Sequence, residues 1–285
     1  PMKFEITSFV TPYGINLDLG QDGVTYSMDL TDFSPILKGN KYMLMDRGGQ
    51  WQEEMDISFW FIVGKPPRDV VDINQIWRVD RRSYTNIIAD DSFEPRDVSF
   101  DPSATMFKIR STISGHGQEG EFIPRDHYID VDGGNDEFVW QVWKTECPDN
   151  PVYPQGGTWI YERAGWCPGM ETNTEHSDIT SLVTPGTTAN LDYGMYSASG
   201  SSNYIVNNQL VQYSDPNHTL DASLIDVVSP NNNIEHGRLN SICDNPTVVN
   251  RYTGATTLTS LTITYWVNDV ANPGVFTRTG SVDFM

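Results

Sequence analysis

Apolar and polar positions alternate along this chain with the period of two that marks β-strands. Met55, Ile57, Phe59, Phe61 and Val63 alternate with mostly polar neighbours, and Trp60 is the exception. The stretches 105–113 (TMFKIRSTI), 203–213 (NYIVNNQLVQY), 220–228 (LDASLIDVV) and 258–267 (LTSLTITYWV) are rich in Ile, Val, Thr and aromatic residues, which suit a pleated, half-buried surface. Gly-Gly at 48–49 and 133–134, Pro-Pro at 66–67, Pro-Gly at 185–186 and Asp-Pro at 215–216 punctuate these runs. Only 30–39 (LTDFSPILKG) suggests a helix, of one or two turns closed by Gly39. The pattern predicts an all-β protein built as a sandwich or jelly roll. Three segments follow. Residues 1–76 read as part of a sandwich. Residues 77–231 form a larger β unit with nearly all the Trp-, Gly- and Cys-rich motifs. Residues 232–285 read as an abbreviated immunoglobulin-like segment, since such a module takes roughly 100 residues.

Composition narrows the function. Asp and Glu outnumber Lys and Arg 38 to 18 among 285 residues. A phosphate-binding surface needs clustered cations, so nucleic acid is not an expected partner. No apolar run approaches the roughly 20 residues that span a bilayer, and a membrane is not expected either. The acidity reads as a solvated surface, or as adaptation to low pH, where carboxylates are protonated and repel less. The three cysteines, Cys147, Cys167 and Cys243, include no C-x-x-C pair, which excludes a zinc ribbon. Cys147 and Cys167 could close a loop of about twenty residues, a link worth roughly 3 kcal/mol. That leaves Cys243 as a free thiol within the chain.

Candidate chemistry concentrates in a few stretches. The five histidines share no i,i+2 or i,i+4 spacing, so no metal site is predicted and copper chemistry is disfavoured. The segment TISGHG lacks the Gly-x-Ser-x-Gly elbow. The segment 115–127 (GHGQEGEFIPRDH) follows a predicted strand and carries Glu119, Glu121, Arg125, Asp126 and His127. A carboxylate beside an arginine in a partly buried loop stays ionised and can position water; composition alone favours a solvated acidic loop over that reading. The segment 44–51 (LMDRGGQW) offers Asp46 and Arg47 at a turn before Trp51. Trp51, Trp143, Trp159 and Trp166 are stacking candidates, and the flat C–H faces of a sugar pack on indole.

Several of these motifs, in order, resemble one family. STISGHG, GEF and RDH, then ECPDNPVYPQGGTWIYERAGWCPGM, then YIVNNQLVQY and ASLIDVVSPN look like the C-terminal domain of the peptide-N-glycosidase F family. FEITSFVTPYG and YSMDLTDFSPILKGNKYMLM look like the second half of its N-terminal domain, so the resemblance spans about residues 3–231. It implies two adjacent antiparallel jelly-roll sandwiches, the first incomplete here, with the site at their junction. It implies hydrolysis of the amide joining N-acetylglucosamine to asparagine in N-glycosylated peptides or proteins, giving a glycosylamine and aspartate, with no metal or cofactor. It further implies a secreted or periplasmic location and a Cys147–Cys167 disulfide. On this alignment the family's first catalytic Glu falls on Glu121 and the second near Asp46. Arg163, Trp166, Arg125 and His127 fall on its substrate-facing positions, with Trp51 and Trp159 as further sugar contacts. The family's essential Asp lies upstream of FEITSFVTPYG. The resemblance therefore leads us to expect a second chain that supplies this acid and the rest of the N-terminal jelly roll, with a fragment of a longer chain as the competing explanation. The alternatives are a noncatalytic carbohydrate-binding relative and, less favoured, a copper monooxygenase.

Overall fold

The computed structural model of the protein describes residues 2–14, 17–21, 23–46, 54–134, 138–230, 246–266 and 270–282. Trp51, Arg47, His236 and Cys243 lie outside the described residues. The chain divides into two compact units, Pro1–Trp60 with Val70–Ser214, and Phe61–Asp69 with Asp215–Met285. Among the described residues no helix is long and apolar enough to cross a membrane.

The structure is all-β, with antiparallel sheets throughout. Along the first part of the chain run β1 (Phe9–Val10), β2 (Arg68–Ser83), the short helix α1 (Tyr84–Ile88), β3 (Arg96–Ser99) and β4 (Met106–His116). Then come the one-turn helix α2 (Gln118–Phe122), β5 (Arg125–Val131), β6 (Phe138–Val142), β7 (Met170–Glu171), β8 (Thr174–Asp178), β9 (Thr188–Met195) and β10 (Asn203–Pro216). Two four-stranded sheets, ordered β2-β10-β4-β8 and β3-β9-β5-β6, carry the larger unit. β4 and β10 pair over eleven residues, from Met106↔Tyr213 to His116↔Asn203. Their alternation works as the sequence predicts. Phe107, Ile109 and Ile113 of β4 and Tyr204, Val206 and Leu210 of β10 enter one core with Leu191, Tyr193 and Ile129 of the facing sheet. A second cluster of Phe33, Ile73 and Val211 lies under Phe4, Ile6, Leu30 and Ile36. The predicted turn at 30–39 is a single 3-10 turn, Thr31–Phe33, which buries Phe33.

In the second unit, β11 (Ser223–Ser229) pairs with β12 (Thr247–Arg251), and β13 (Leu258–Tyr265) with β14 (Gly274–Val282). One predicted strand is absent. Residues 54–63 are assigned to no strand, and Ile57, Phe59, Trp60, Phe61, Ile62 and Val63 are exposed. Alternation specifies two faces, but a strand also needs a neighbour for its backbone N–H and C=O groups.

Two ionisable groups tie this packing to pH. His127, on β5, is fully buried; burial pushes its imidazole from 6.5 down to about 3. It is thus neutral in the fold while an unfolded chain binds a proton below 6.5, so its contribution to stability is lost as pH falls from 6.5 toward 3. Glu5 acts oppositely. Burial raises its carboxyl from 4.5 to about 7 despite the attraction of Arg110, so its cost grows as pH rises through that window. Urea denaturation between pH 6.5 and 4 should therefore show a shallower loss of stability toward acid for His127→Phe than for the parent. The difference in slope should approach about 1.4 kcal/mol per pH unit. Equal slopes would show that His127 is protonated without cost in the folded state.

Candidate active site

The site grows from a change of direction at the end of β4. Gly117, at φ 80°, breaks the strand; a Cβ there would lie 2.3 Å from the Ser201 carbonyl. The chain then makes the single turn of α2, in which Glu121 N–H donates to Gly117 O at 2.8 Å. A second corner packs against it. Ala164 N–H donates to Glu121 O and Gly115 N–H to Ala164 O, both at 2.9 Å. Arg163 exchanges two backbone hydrogen bonds with Lys144, at 2.7 and 3.2 Å. Gly165, at φ 80°, lies so near β4 that a Cβ would sit 2.2 Å from Ile113 O. The Cys147–Cys167 disulfide closes the loop that contains this corner, and Trp166 Nε1–H donates to Gly115 O at 2.9 Å.

Arg163 is the centre of the arrangement. Its side chain is 0% exposed, against 20% for Glu121, and its Nε–H donates to Glu121 Oε1 at 2.8 Å. The remaining four N–H groups are also used. Nη1 donates to Tyr161 O at 2.8 Å and Trp159 O at 3.4 Å. Nη2 donates to Thr158 O at 2.7 Å and Thr158 Oγ1 at 2.8 Å. The guanidinium carbon stands 5.0 Å from the Trp166 ring centroid, 5.1 Å from Phe122 and 5.7 Å from Tyr13, within cation–π range. All five donors of the fork are therefore engaged inside the protein. Arg163 holds Glu121 in place and has no donor left for a ligand.

Glu121 is the accessible member of the pair, with one oxygen bound to Arg163. The other predicted residues divide around it. Trp166 is buried, with His116 stacked on it at 5.6 Å. Burial pushes the His116 imidazole down to about 4, with Arg81 adding to the shift, and its Nε2 lies 2.9 Å from Ser114 Oγ. Arg125 sits beside α2: its Nη2 reaches Ser199 Oγ at 3.4 Å, and Ser199 donates to Glu119 Oε2 at 2.6 Å. Trp159 is half-buried and joins through its carbonyl. His127 departs from expectation. It is a core residue, its Nδ1 2.7 Å from Tyr193 Oη and its ring against Tyr204. Packing in the sandwich claims it, because β5 turns His127 inward with Ile129 and Val131. Asp46 is exposed on a stretch without assigned strand.

Tyr13 is a site residue that the sequence does not announce. Its backbone is clamped to the 155–156 turn: Tyr13 N–H donates to Gln155 Oε1 and Gly156 N–H donates to Tyr13 O, both at 2.7 Å. Its ring faces Arg163 and meets Trp166 edge-on at 6.4 Å. Burial raises its phenol, Glu121 raises it further and Arg163 partly offsets this, so Tyr13 stays a hydroxyl donor at neutral pH. Among the described residues no three His, Cys, Asp or Glu side chains gather to hold a metal.

Comparison with known proteins finds similarity for part of the chain. Residues 83–224 match the family described as peptide-N-glycosidase F, C terminal. Peptide-N(4)-(N-acetyl-beta-D-glucosaminyl)asparagine amidase F of Elizabethkingia miricola is 25% identical over 210 residues, covering 67% of this chain and 57% of that protein. The chain thus spans little more than half the length of this curated relative. A crystal structure of peptide-N(4)-(N-acetyl-beta-D-glucosaminyl)asparagine amidase superposes with a TM-score of 0.47 at 23% identity, over 54% of this chain and 55% of the other. A glycosylasparaginase from Flavobacterium meningosepticum gives 0.45 at 23% identity, with 54% and 55% covered.

Removing the arginine should expose its structural weight. Arg163→Met strips partners from Glu121 and from the Thr158 and Tyr161 carbonyls at once. Urea unfolding is expected to show a loss of about 3–5 kcal/mol. Arg163→Lys should restore little, since one ammonium has three donors and no planar fork. A loss below about 1 kcal/mol for Arg163→Met, the range of an exposed ion pair, would mean the network is not coupled.

Proposed function

We propose, from the match of residues 83–224 to the peptide-N-glycosidase F C-terminal family, that the chain takes part in a glycoamidase acting on N-glycosylated peptides. The bond cleaved would be the amide between N-acetylglucosamine and asparagine. The observation that carries this reading is the Arg163–Glu121 pair, 2.8 Å apart, with the acid partly open and the arginine fully enclosed. Amide hydrolysis needs an aimed water, a donor for the developing oxyanion and a proton for the leaving nitrogen. Glu121, with Oε1 fixed by Arg163, would use its other oxygen to hold water or a hydroxyl of the first sugar. Tyr13, protonated and fixed in position, would supply a donor beside it. Trp166 would back the sugar wall, and Arg163 would act as a positioning residue.

The principal acid, on this proposal, comes from a further polypeptide segment, which we take to be a second chain. The exposed apolar side chains Tyr42, Met43, Leu44 and Met45, with Ile57, Phe59 and Trp60, fit a surface that another β segment covers. Asp46 would lie at the margin of that segment. Location outside the cytoplasm fits the Cys147–Cys167 bridge, since such links persist in oxidising compartments.

Incubation of the native protein with an N-glycosylated peptide should release the glycan and convert asparagine to aspartate, read by peptide mass. Glu121→Gln should lower the rate by about 10²–10⁴-fold; melting should fall, because Arg163 loses its ionic partner, while circular dichroism at the assay temperature shows the fold retained. An intact glycopeptide that still binds would point to a noncatalytic carbohydrate-binding relative. Full activity in Glu121→Gln would remove that residue from the mechanism. Native mass measurement should reveal the second chain; full activity from this chain alone would rule it out.

A further inference from the structure

A row of polar side chains crosses the inner face of the β2-β10-β4-β8 sheet where apolar residues are expected. Asn208 of β10 pairs with Ser111 of β4, and Ser111 pairs with Glu175 of β8. Directly opposite residues of antiparallel strands share a face, so the three side chains stand side by side. Ser111 lies between the core residues Ile109 and Ile113, and Asn208 between Val206 and Leu210, so the shared face looks into the sandwich. Asn208 is 0% and Ser111 2% exposed. Neither amide atom of Asn208 nor the Ser111 hydroxyl has a hydrogen-bond partner among the described residues. Buried polar groups left in this state cost about 1–3 kcal/mol each, and native structures keep them only where something supplies the missing bonds.

The row leads to an opening. A cavity of about 90 Å³ is lined by Ser111 and Glu175 on one sheet, Trp140 and Trp143 on the other side, and Gly165. β8 and β6 are the outer strands of their sheets, so the cavity lies at the open edge of the sandwich. Trp143 is fixed there, its Nε1–H donating to Glu162 Oε2 at 2.9 Å. Partial burial raises the Glu175 carboxyl, and a hydrogen bond from the His176 backbone partly offsets this.

We propose that this notch is an accessory saccharide subsite, which takes one pyranose edge-on with its hydroxyls toward Ser111 and Glu175, Asn208 lying behind Ser111, and its C–H face against the tryptophans. Two indoles beside an unpaired hydroxyl, with a carboxylate at the mouth, are what a sugar ring matches: apolar on its faces, polar at its rim. The cavity is too small for a whole oligosaccharide and fits one ring entering partway. It shares Gly165 with the corner that holds Arg163, so the glycan bound here would be that of the substrate proposed above, and the inference rests on that reading for its ligand.

The test uses free N,N′-diacetylchitobiose and mannobiose, neither of which contains the amide to be cleaved. In a Glu121→Gln background the indole N–H signals of Trp140 and Trp143 should shift on titration with one of them. Ser111→Ala and Glu175→Ala should each weaken that affinity about tenfold while preserving the unliganded spectrum. Indole signals unmoved by either sugar, or shifts that survive both substitutions, would overturn the subsite and leave the polar row to ordered water. Glycopeptide hydrolysis without notch binding refutes only the subsite; notch binding without hydrolysis refutes only the glycoamidase.

Discussion

A single guanidinium with no idle donor organises the best-ordered chemistry in this protein. Arg163 spends its five N–H groups on one carboxylate, one hydroxyl and three backbone carbonyls, and its faces on three aromatic rings. A charge removed from water is tolerable only when it is paired and its hydrogen bonds are satisfied. The turn at 158–161, the helix at 118–122 and the N-terminal Tyr13 are brought to one place by that requirement. Glu121 gains orientation from the same requirement, because a five-residue helix has little stability of its own. The position of the acid is thus inherited from a buried base rather than set by the strand that precedes it.

The two sheets handle polar residues differently at their buried faces. His127 pairs its Nδ1 with Tyr193 Oη and stays neutral in the core, where its Nε2 has no hydrogen-bond partner among the described residues. Asn208 and Ser111 have no side-chain hydrogen-bond partner among the described residues and lie on a row that ends at Glu175 in the edge cavity. Interiors are packed densely enough that a polar group with a neighbour rigidifies the fold, whereas one without a neighbour marks a place where packing was given up. Both occur within one sandwich, and it is the cavity lined by Ser111 and Glu175 that separates a candidate recognition surface from a structural histidine.

Much of the frame is legible in the sequence because β pattern and burial coincide there. TMFKIRSTI and NYIVNNQLVQY become the long paired strands β4 and β10, and the cysteines 20 residues apart meet in a disulfide. The run at 55–63 misleads because alternation records two faces and is silent about a pairing partner. His127 misleads because proximity to Glu121 in sequence says nothing of which face β5 turns inward. Tyr13 leaves no signal, being 150 residues from Arg163 along the chain. The polar row does leave one: Asn208 and Ser111 interrupt apolar positions in strands otherwise patterned for a core. That signal becomes readable only when register aligns the two strands.

The cradle around Arg163 is made mostly of main-chain oxygens, and the side chains of the residues that donate them are a separate matter. Tyr161 is exposed and Trp159 half-buried, although both present their carbonyls to the arginine. The loop closed by Cys147 and Cys167 can therefore change its outward residues without disturbing the anchor beneath. Over evolutionary time such a wall can be re-dressed for a different ligand while the acid behind it keeps its aim.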